Sequence, residues 1–322
     1  MTDLIQSPPE GLQTPPPGRP RRRGIAILLS LLLAGLGELY AGRPRAAVVT
    51  WVSIHIFGAL TLVVPFMPLP GLWLLIVPIV MVLGGWVFVL SRANRAARAA
   101  PNPYPLQPYN RWYWYLLPVL ASTLKLQPAV LNEVRSHWLQ AFRIPSPSME
   151  PTLHVGDFIF VSKRPAARVP LLNGLVVFTT QDGLSVIKRV VGMPGDTLAM
   201  ENGTLIHNGR AVAEPYARSY DPVNAERDKL EEGRRWHLAH LTGAARKTEQ
   251  PYEPTARSWG PLVIPRDSVF LLGDSRDNSY DSRFYGAVPV NRIRGKPLVI
   301  YFSVGLGPAG GGVQWSRIGL RF

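Results

Sequence analysis

Gly273-Asp274-Ser275-Arg276-Asp277-Asn278-Ser279-Tyr280-Asp281-Ser282-Arg283 is the stretch around which the rest of this chain makes sense. Two earlier pieces answer it, Pro145-Ser146-Pro147-Ser148-Met149-Glu150-Pro151-Thr152 and Val186-Ile187-Lys188-Arg189. Together they supply a serine, a lysine and a polar frame, the equipment of a hydrolase in which a buried amine does the work of a histidine. The surrounding sequence is β-rich. Residues 157–162, 175–180, 185–191, 269–272 and 298–302 are short apolar runs that read as strands. Asn202-Gly203 and Asn208-Gly209 flank residues 204–207, which predicts a hairpin followed by a further turn.

Ser148 follows Pro145 and Pro147, whose rings fix the local φ. Its hydroxyl is a poor nucleophile until a base removes the proton during attack. Lys188 lies on an apolar strand, where alternation sends it and Arg189 to opposite faces, one for a site and one for solvent. A free lysine, with a pKa of ~10.4, is protonated at neutral pH, and burial in an apolar pocket lowers that value. The competing reading of Lys188 is a surface lysine on an edge strand. Arg189 is taken as that ordinary surface case. The six histidines, His55, His137, His154, His207, His237 and His240, form no recognisable catalytic pattern, so a Ser-His-Asp triad is the weaker account.

The three pieces, in this order and behind apolar segments, resemble the type I signal peptidases from about Phe142 onward. The resemblance implies Ser148 as nucleophile and Lys188 as general base. It makes Ser279 the hydroxyl that hydrogen-bonds and orients the amine; a carboxylate there would raise the lysine pKa and disable it. The backbone N–H of Ser148 and the hydroxyl of Ser146 become the oxyanion donors. Phe142, Ile144, Met149 and Ile187 align with residues lining a shallow groove that selects small side chains at the first and third positions before the cut. Core packing is the competing reading for these four. Asp281 and Arg283 match a bracing pair, or a salt bridge with no functional role. Gly273 allows close backbone approach near the lysine, and Asp274, Arg276, Asp277 and Asn278 serve the turn. No metal and no organic cofactor is implied. The chain departs from the pattern at Pro147, where glycine is common, and at Ser275, where asparagine is common. Residues 173–178 also lack the acid that usually precedes their strand.

Composition bounds the alternatives. With no cysteine among 322 residues, disulfides, thiol catalysis and cysteine-bound metals are excluded. The net charge of +14 favours anionic partners, and the placing of arginines beside apolar segments suits phospholipid rather than nucleic acid, for which no signature is present. Residues 1–23, rich in proline and ending in three arginines, read as a disordered tail. Residues 24–131 read as a membrane region with apolar segments at 24–40, 46–66 and 69–90 and a fourth candidate from 111 towards 131. Residues 46–90 contain no Asp, Glu, Lys or Arg. Arginine placement leaves three and four crossings both open. Residues 132–322 form the peptidase domain, with an irregular insertion near 216–260 and a short helix expected at 225–232. The fold expected is thus N-terminal transmembrane α-helices followed by a mainly β catalytic domain of antiparallel sheets.

By resemblance the chain cleaves signal peptides from exported preproteins through an acyl-enzyme. It would do so at the outer, periplasmic face of a bacterial inner membrane, in contact with phospholipid and near the secretion machinery. The alternatives weighed are a self-cleaving Ser–Lys protease, whose DNA-binding module is not evident here, and a catalytically idle membrane scaffold of the same fold.

Overall fold

Pro44 opens a long helix because its missing N–H costs nothing at the first helical position. The computed structural model describes residues 20–218, 231–246, 251–305 and 311–322. Most of the tail 1–23 and of the helix expected at 225–232 lies outside the described residues. The chain forms two compact units. One reaches to Leu62 and takes in Val77–Ala129; the other joins Val63–Ile76 to Val130–Phe322.

The N-terminal helices are α1 (Arg23–Leu32), α2 (Leu36–Tyr40), α3 (Pro44–Thr61), α4 (Trp73–Arg98), α5 (Tyr113–Ala121) and α6 (Gln127–Glu133). Two stretches, Pro44–Phe66 and Trp73–Arg98, are long and apolar enough to cross a membrane, with mean hydropathies of 2.1 and 2.5. Only 17% of each is buried, so their apolar surface is not that of a protein core. The first expected segment, 24–40, is not one helix. Gly35, at φ 97°, turns the chain between α1 and α2, and Ser30 Oγ accepts the N–H of Gly37. Glu38 is buried, with Oε1 accepting from Thr50 at 2.6 Å. The fourth expected segment is helical throughout, with a wider π-type turn at Ser122–Leu126 joining α5 to α6 and a second at Val134–Trp138 after α6. Pro118 and Pro128 each withdraw a backbone donor from that stretch.

The second unit is built of two antiparallel sheets. Its strands are β1 (Leu139–Arg143), β2 (Asp157–Ser162), β3 (Leu175–Thr179), β4 (Ser185–Gly192), β5 (Thr197–Glu201), β6 (Thr204–His207), β7 (Arg210–Ala211), β8 (Trp259–Val263), β9 (Ser268–Leu272), β10 (Val288–Pro289) and β11 (Ile293–Ser303). The larger sheet runs β1-β2-β11-β3-β4-β9-β10 and the smaller β7-β6-β5-β8. The five strands expected from sequence are all present. The predicted hairpin is β5–β6, and both residues of its turn have positive φ (Asn202 49°, Gly203 86°), as do Asn208 and Gly209 before β7. That backbone twist matches the flanking strands.

Leu198, Leu205 and Leu262 of the smaller sheet pack on Phe270 and Leu272 of β9, joining the two sheets through one core. A second core, with Leu153, Ile159, Val177 and Ile300, lies beside the serine loop. Short helices α7 (Glu231–His240), α8 (Gly243–Arg246) and α9 (Ser282–Tyr285) complete the unit. The chain between α3 and α4 belongs to this unit. Arg321 donates to the carbonyls of Pro65 (3.2 Å) and Met67, and Arg164 lies 3.9 Å over the ring of Phe66.

Candidate active site

Ser148 sits in a tight turn, Pro147–Met149, between β1 and β2. Met149 and Leu153 anchor that turn in the core, 2% and 0% exposed. Lys188 comes from the middle of β4, and its register opposite Val176 of β3 points it towards the turn. Its Nζ stands 2.9 Å from Ser148 Oγ and donates to it. The side chain is 2% exposed. Burial lowers the amine pKa from 10.5 to about 8, against the opposing pull of Asp281 and with help from Arg283. Once neutral, such an amine can accept a proton from the hydroxyl it touches.

The loop from Gly273 to Arg283 frames this pair. Asp281 is fully buried, and accepts from Arg283 Nε at 2.8 Å and Nη2 at 2.9 Å, and from the Gly273 N–H at 3.1 Å. Burial pushes its carboxyl up, but Arg283, Lys188 and the Gly273 N–H together outweigh burial and hold it below the usual value. Arg283 also donates to the carbonyls of Ala256, Arg276 and Ser279, which ties the loop into one body. Gly273 is the point of closest approach: a Cβ there would collide with Ser279 Oγ and with the Ser148 carbonyl.

Ser279 is 8% exposed, and its Oγ has no hydrogen-bond partner among the described residues. The bond expected from it to the amine is therefore not made in this structure; Lys188 Nζ is directed to Ser148 instead. The two expected oxyanion donors are adjacent, with the Ser148 N–H donating to Ser146 Oγ at 3.3 Å. A cavity of about 1110 Å³ runs past the serine, and Phe142, Ile144, Met149 and Ile187 all line it. Ile144 and Met149 belong to the adjoining core as well, and Phe142 and Ile187 pack on it, so groove and core readings hold together.

Arg189 corrects its sequence reading. It is buried, not solvated, and forks onto Asp274 through Nε (2.7 Å) and Nη2 (2.6 Å). The reason is register: Arg189 lies opposite Leu272 at the end of β9, just before the loop whose Asp274 receives its side chain. Arg189 also donates to Thr152, four residues beyond the serine, and Arg317 holds the Thr152 carbonyl at 3.0 Å. Sequence reasoning missed Glu214, whose buried carboxylate forks with Arg276 at 2.6 and 2.7 Å. It also missed Trp236 and Ala256, which come from the insertion and line the groove. Glu214 carries no local motif, and a lone tryptophan in a charged segment gives no signal of where it packs.

A family model described as signal peptidase, peptidase S26, matches residues 119–302. Signal peptidase I of Bacillus caldolyticus is 33% identical over 187 residues, covering 58% of this chain and 86% of the relative. That of Leptolyngbya laminosa is 31% identical over 193 residues, covering 57% and 78%. Signal peptidase I of Pseudomonas aeruginosa is 34% identical over 198 residues, covering 53% and 67%. Fold and relatives together define a class, the serine endopeptidases that act on signal peptides. Within it, the chain belongs to the type I signal peptidases of family S26.

Proposed function

We propose that the chain cleaves signal peptides with a Ser148–Lys188 dyad, acting from a membrane. The observation that carries this reading is the 2.9 Å contact between a buried amine and the serine hydroxyl at the wall of an apolar groove. Neutral Lys188 takes the Ser148 proton as Oγ attacks the scissile carbonyl. The oxyanion forms against the Ser148 N–H and the Ser146 hydroxyl, which turn from each other to the substrate. Lys188 then passes its proton to the leaving amine, and the acyl-enzyme is hydrolysed by a water that Lys188 deprotonates. Ser279, buried beside Gly273 with an unspent hydroxyl, orients the amine once substrate is bound. A substrate strand laid along the groove would add main-chain hydrogen bonds, with small side chains fitting past Ile144 and Ile187.

Three crossings fit the chain: α3, α4 and the α5–α6 stretch. The α3–α4 turn packs on the β-unit, so turn and peptidase domain share one side of the bilayer. Arg43 and Arg45 before α3, and Arg92, Arg95 and Arg98 at the end of α4, then fall on the other side, where basic residues are retained in the cytoplasm. Helices α1 and α2 are too short to cross, which leaves the tail arginines inside too. On this reading the peptidase domain lies at the outer face of a bacterial inner membrane, beside phospholipid and the secretion machinery that delivers preproteins.

The test is incubation of the detergent-solubilised chain with a preprotein, beside Ser148→Ala and Lys188→Ala. Wild type cleaves and both variants are inactive. Equal cleavage by all three would end the dyad assignment.

A further inference from the structure

A second cavity, of about 250 Å³, opens where α3 begins and α4 ends, lined by Glu38, Arg43, Ala46, Arg92, Arg95 and Ala96. Three guanidiniums face one carboxylate there, leaving two positive charges uncompensated. Glu38 is 1% exposed; its Oε1 accepts from Thr50 and stands 3.5 Å from Arg92 Nε. Its Oε2 is buried with no hydrogen-bond partner, an orphan that costs free energy unless a donor arrives. Arg92 Nε is engaged by Thr50 at 2.8 Å. Among the described residues, its terminal nitrogens take no acceptor, and neither Arg43 nor Arg95 has an acidic partner. The 18-residue helix α3 starts at this wall without a side-chain cap, so its first-turn amides add to the attraction for an anion.

We propose that this cavity binds the phosphodiester headgroup of an anionic phospholipid. Arg43, Arg92 and Arg95 take the phosphate, and a headgroup hydroxyl donates to Glu38 Oε2. Three features select this chemistry. The surplus charge favours a net anion, since Arg43 and Arg95 bring two guanidiniums with no acidic partner to the same helix ends. The orphan carboxylate oxygen demands a donor next to that anion, which a glycerol headgroup carries. Soluble glycerol phosphate has the same polar groups, but Val49, about one turn from Ala46, is 53% exposed and offers acyl chains a surface to lie along. A basic pocket between spans on the cytoplasmic side is where headgroups bind in general. The inference rests on α3 and α4 crossing a membrane and is independent of the peptidase chemistry.

The test is native mass spectrometry of the full-length protein in detergent, with phosphatidylglycerol, phosphatidylcholine and glycerol 3-phosphate as probes. Phosphatidylglycerol should be retained over phosphatidylcholine. Arg43→Gln and Arg95→Gln should each weaken that retention about fivefold, as expected for one arginine near a lipid surface. Both remove exposed side chains, so folding is not at stake. Arg45→Gln makes the same charge change beside Arg43 but outside the lining, and should leave retention unchanged. Equal loss in Arg45→Gln, equal retention of the two lipids, or displacement of lipid by glycerol 3-phosphate would overturn the proposal. Preprotein cleavage run in parallel reads the dyad separately, so a failure of either reading is visible on its own.

Discussion

Raising the pH through the Lys188 titration is the most direct perturbation of the proposed dyad. An unshifted amine at 10.5 would be neutral in only about 3 molecules in 10⁴ at pH 7; at about 8 the figure is roughly 9%. Burial therefore supplies about 300-fold more free base at neutral pH, equivalent to about 3 kcal/mol. The sign follows from the role. Protonated Lys188 cannot accept the serine proton, so kcat/KM should climb with unit slope on the acid side and level off above the folded pKa. From pH 7 to 9 the expected rise is about tenfold. The assay is kcat/KM on a peptide with small residues at the first and third positions before the cut and no group titrating in that range. Activity that stays flat between pH 6 and 9, or rises only above pH 10, would refute the assignment. A limb near 6.5 would instead indict a histidine.

Gly273→Ala should lower kcat/KM about 10²-fold, because its Cβ meets the Ser148 carbonyl and displaces the nucleophile; a rate close to wild type at the pH plateau would show the loop gives way freely. Asp274→Asn leaves Arg189 buried without its counter-ion, and should cost about 3–5 kcal/mol and lower the Tm of the detergent-solubilised enzyme by 10 °C or so; an unchanged Tm would refute the strut. Asp157 and Asp281 both titrate below 3.8 in the fold: burial pushes each up, but Arg317 with the His154 N–H and Ser303, and Arg283 with Lys188 and the Gly273 N–H, together outweigh it. Their stabilisation is complete above 3.8 and is lost as pH falls through the folded values, so Tm should hold from neutrality and drop below about pH 4. Because the chain has no cysteine, single substitutions report topology cleanly. Pro70→Cys and Glu201→Cys should react with an impermeant maleimide from the same side, and Arg45→Cys only after permeabilisation.

The strands and the candidate Ser148–Lys188 pair were legible because they are local. Alternation marks β4, the Asn-Gly pairs mark β5–β6, and Ser148, Lys188 and Gly273 stand in short motifs. What was not legible depends on distant register. Arg189 read as a surface residue because strand periodicity names two faces without saying what covers each, and here Asp274 covers the second. Glu214 and Trp236 arrive from the irregular segment after β7, where composition signals only turns and charge. The turn inside the first apolar segment was not legible either, because hydropathy counts apolar residues and does not mark Gly35 as the point where the chain takes a positive φ.

The net charge of +14 takes on a different meaning once these pairs are placed. In the β-unit, Arg189, Arg257, Arg276, Arg283 and Arg317 are each matched to a carboxylate within 2.8 Å. Four of the five converge on the loop from Gly273 to Arg283. That arrangement solves a problem posed by the base. A rigid loop beside Lys188 needs polar contacts, yet a bare carboxylate so near would keep the amine protonated. Pairing Asp281 to Arg283 gives the rigidity while the two charges largely cancel at Nζ, leaving burial to set the pKa. These five arginines thus serve the framework of the peptidase domain, while Arg143, Arg164, Arg210 and Arg294 stay on its surface. The arginines that lack partners among the described residues include Arg43, Arg45, Arg95 and Arg98 at the ends of α3 and α4, where the proposed topology would make a charged lipid surface their counter-ion.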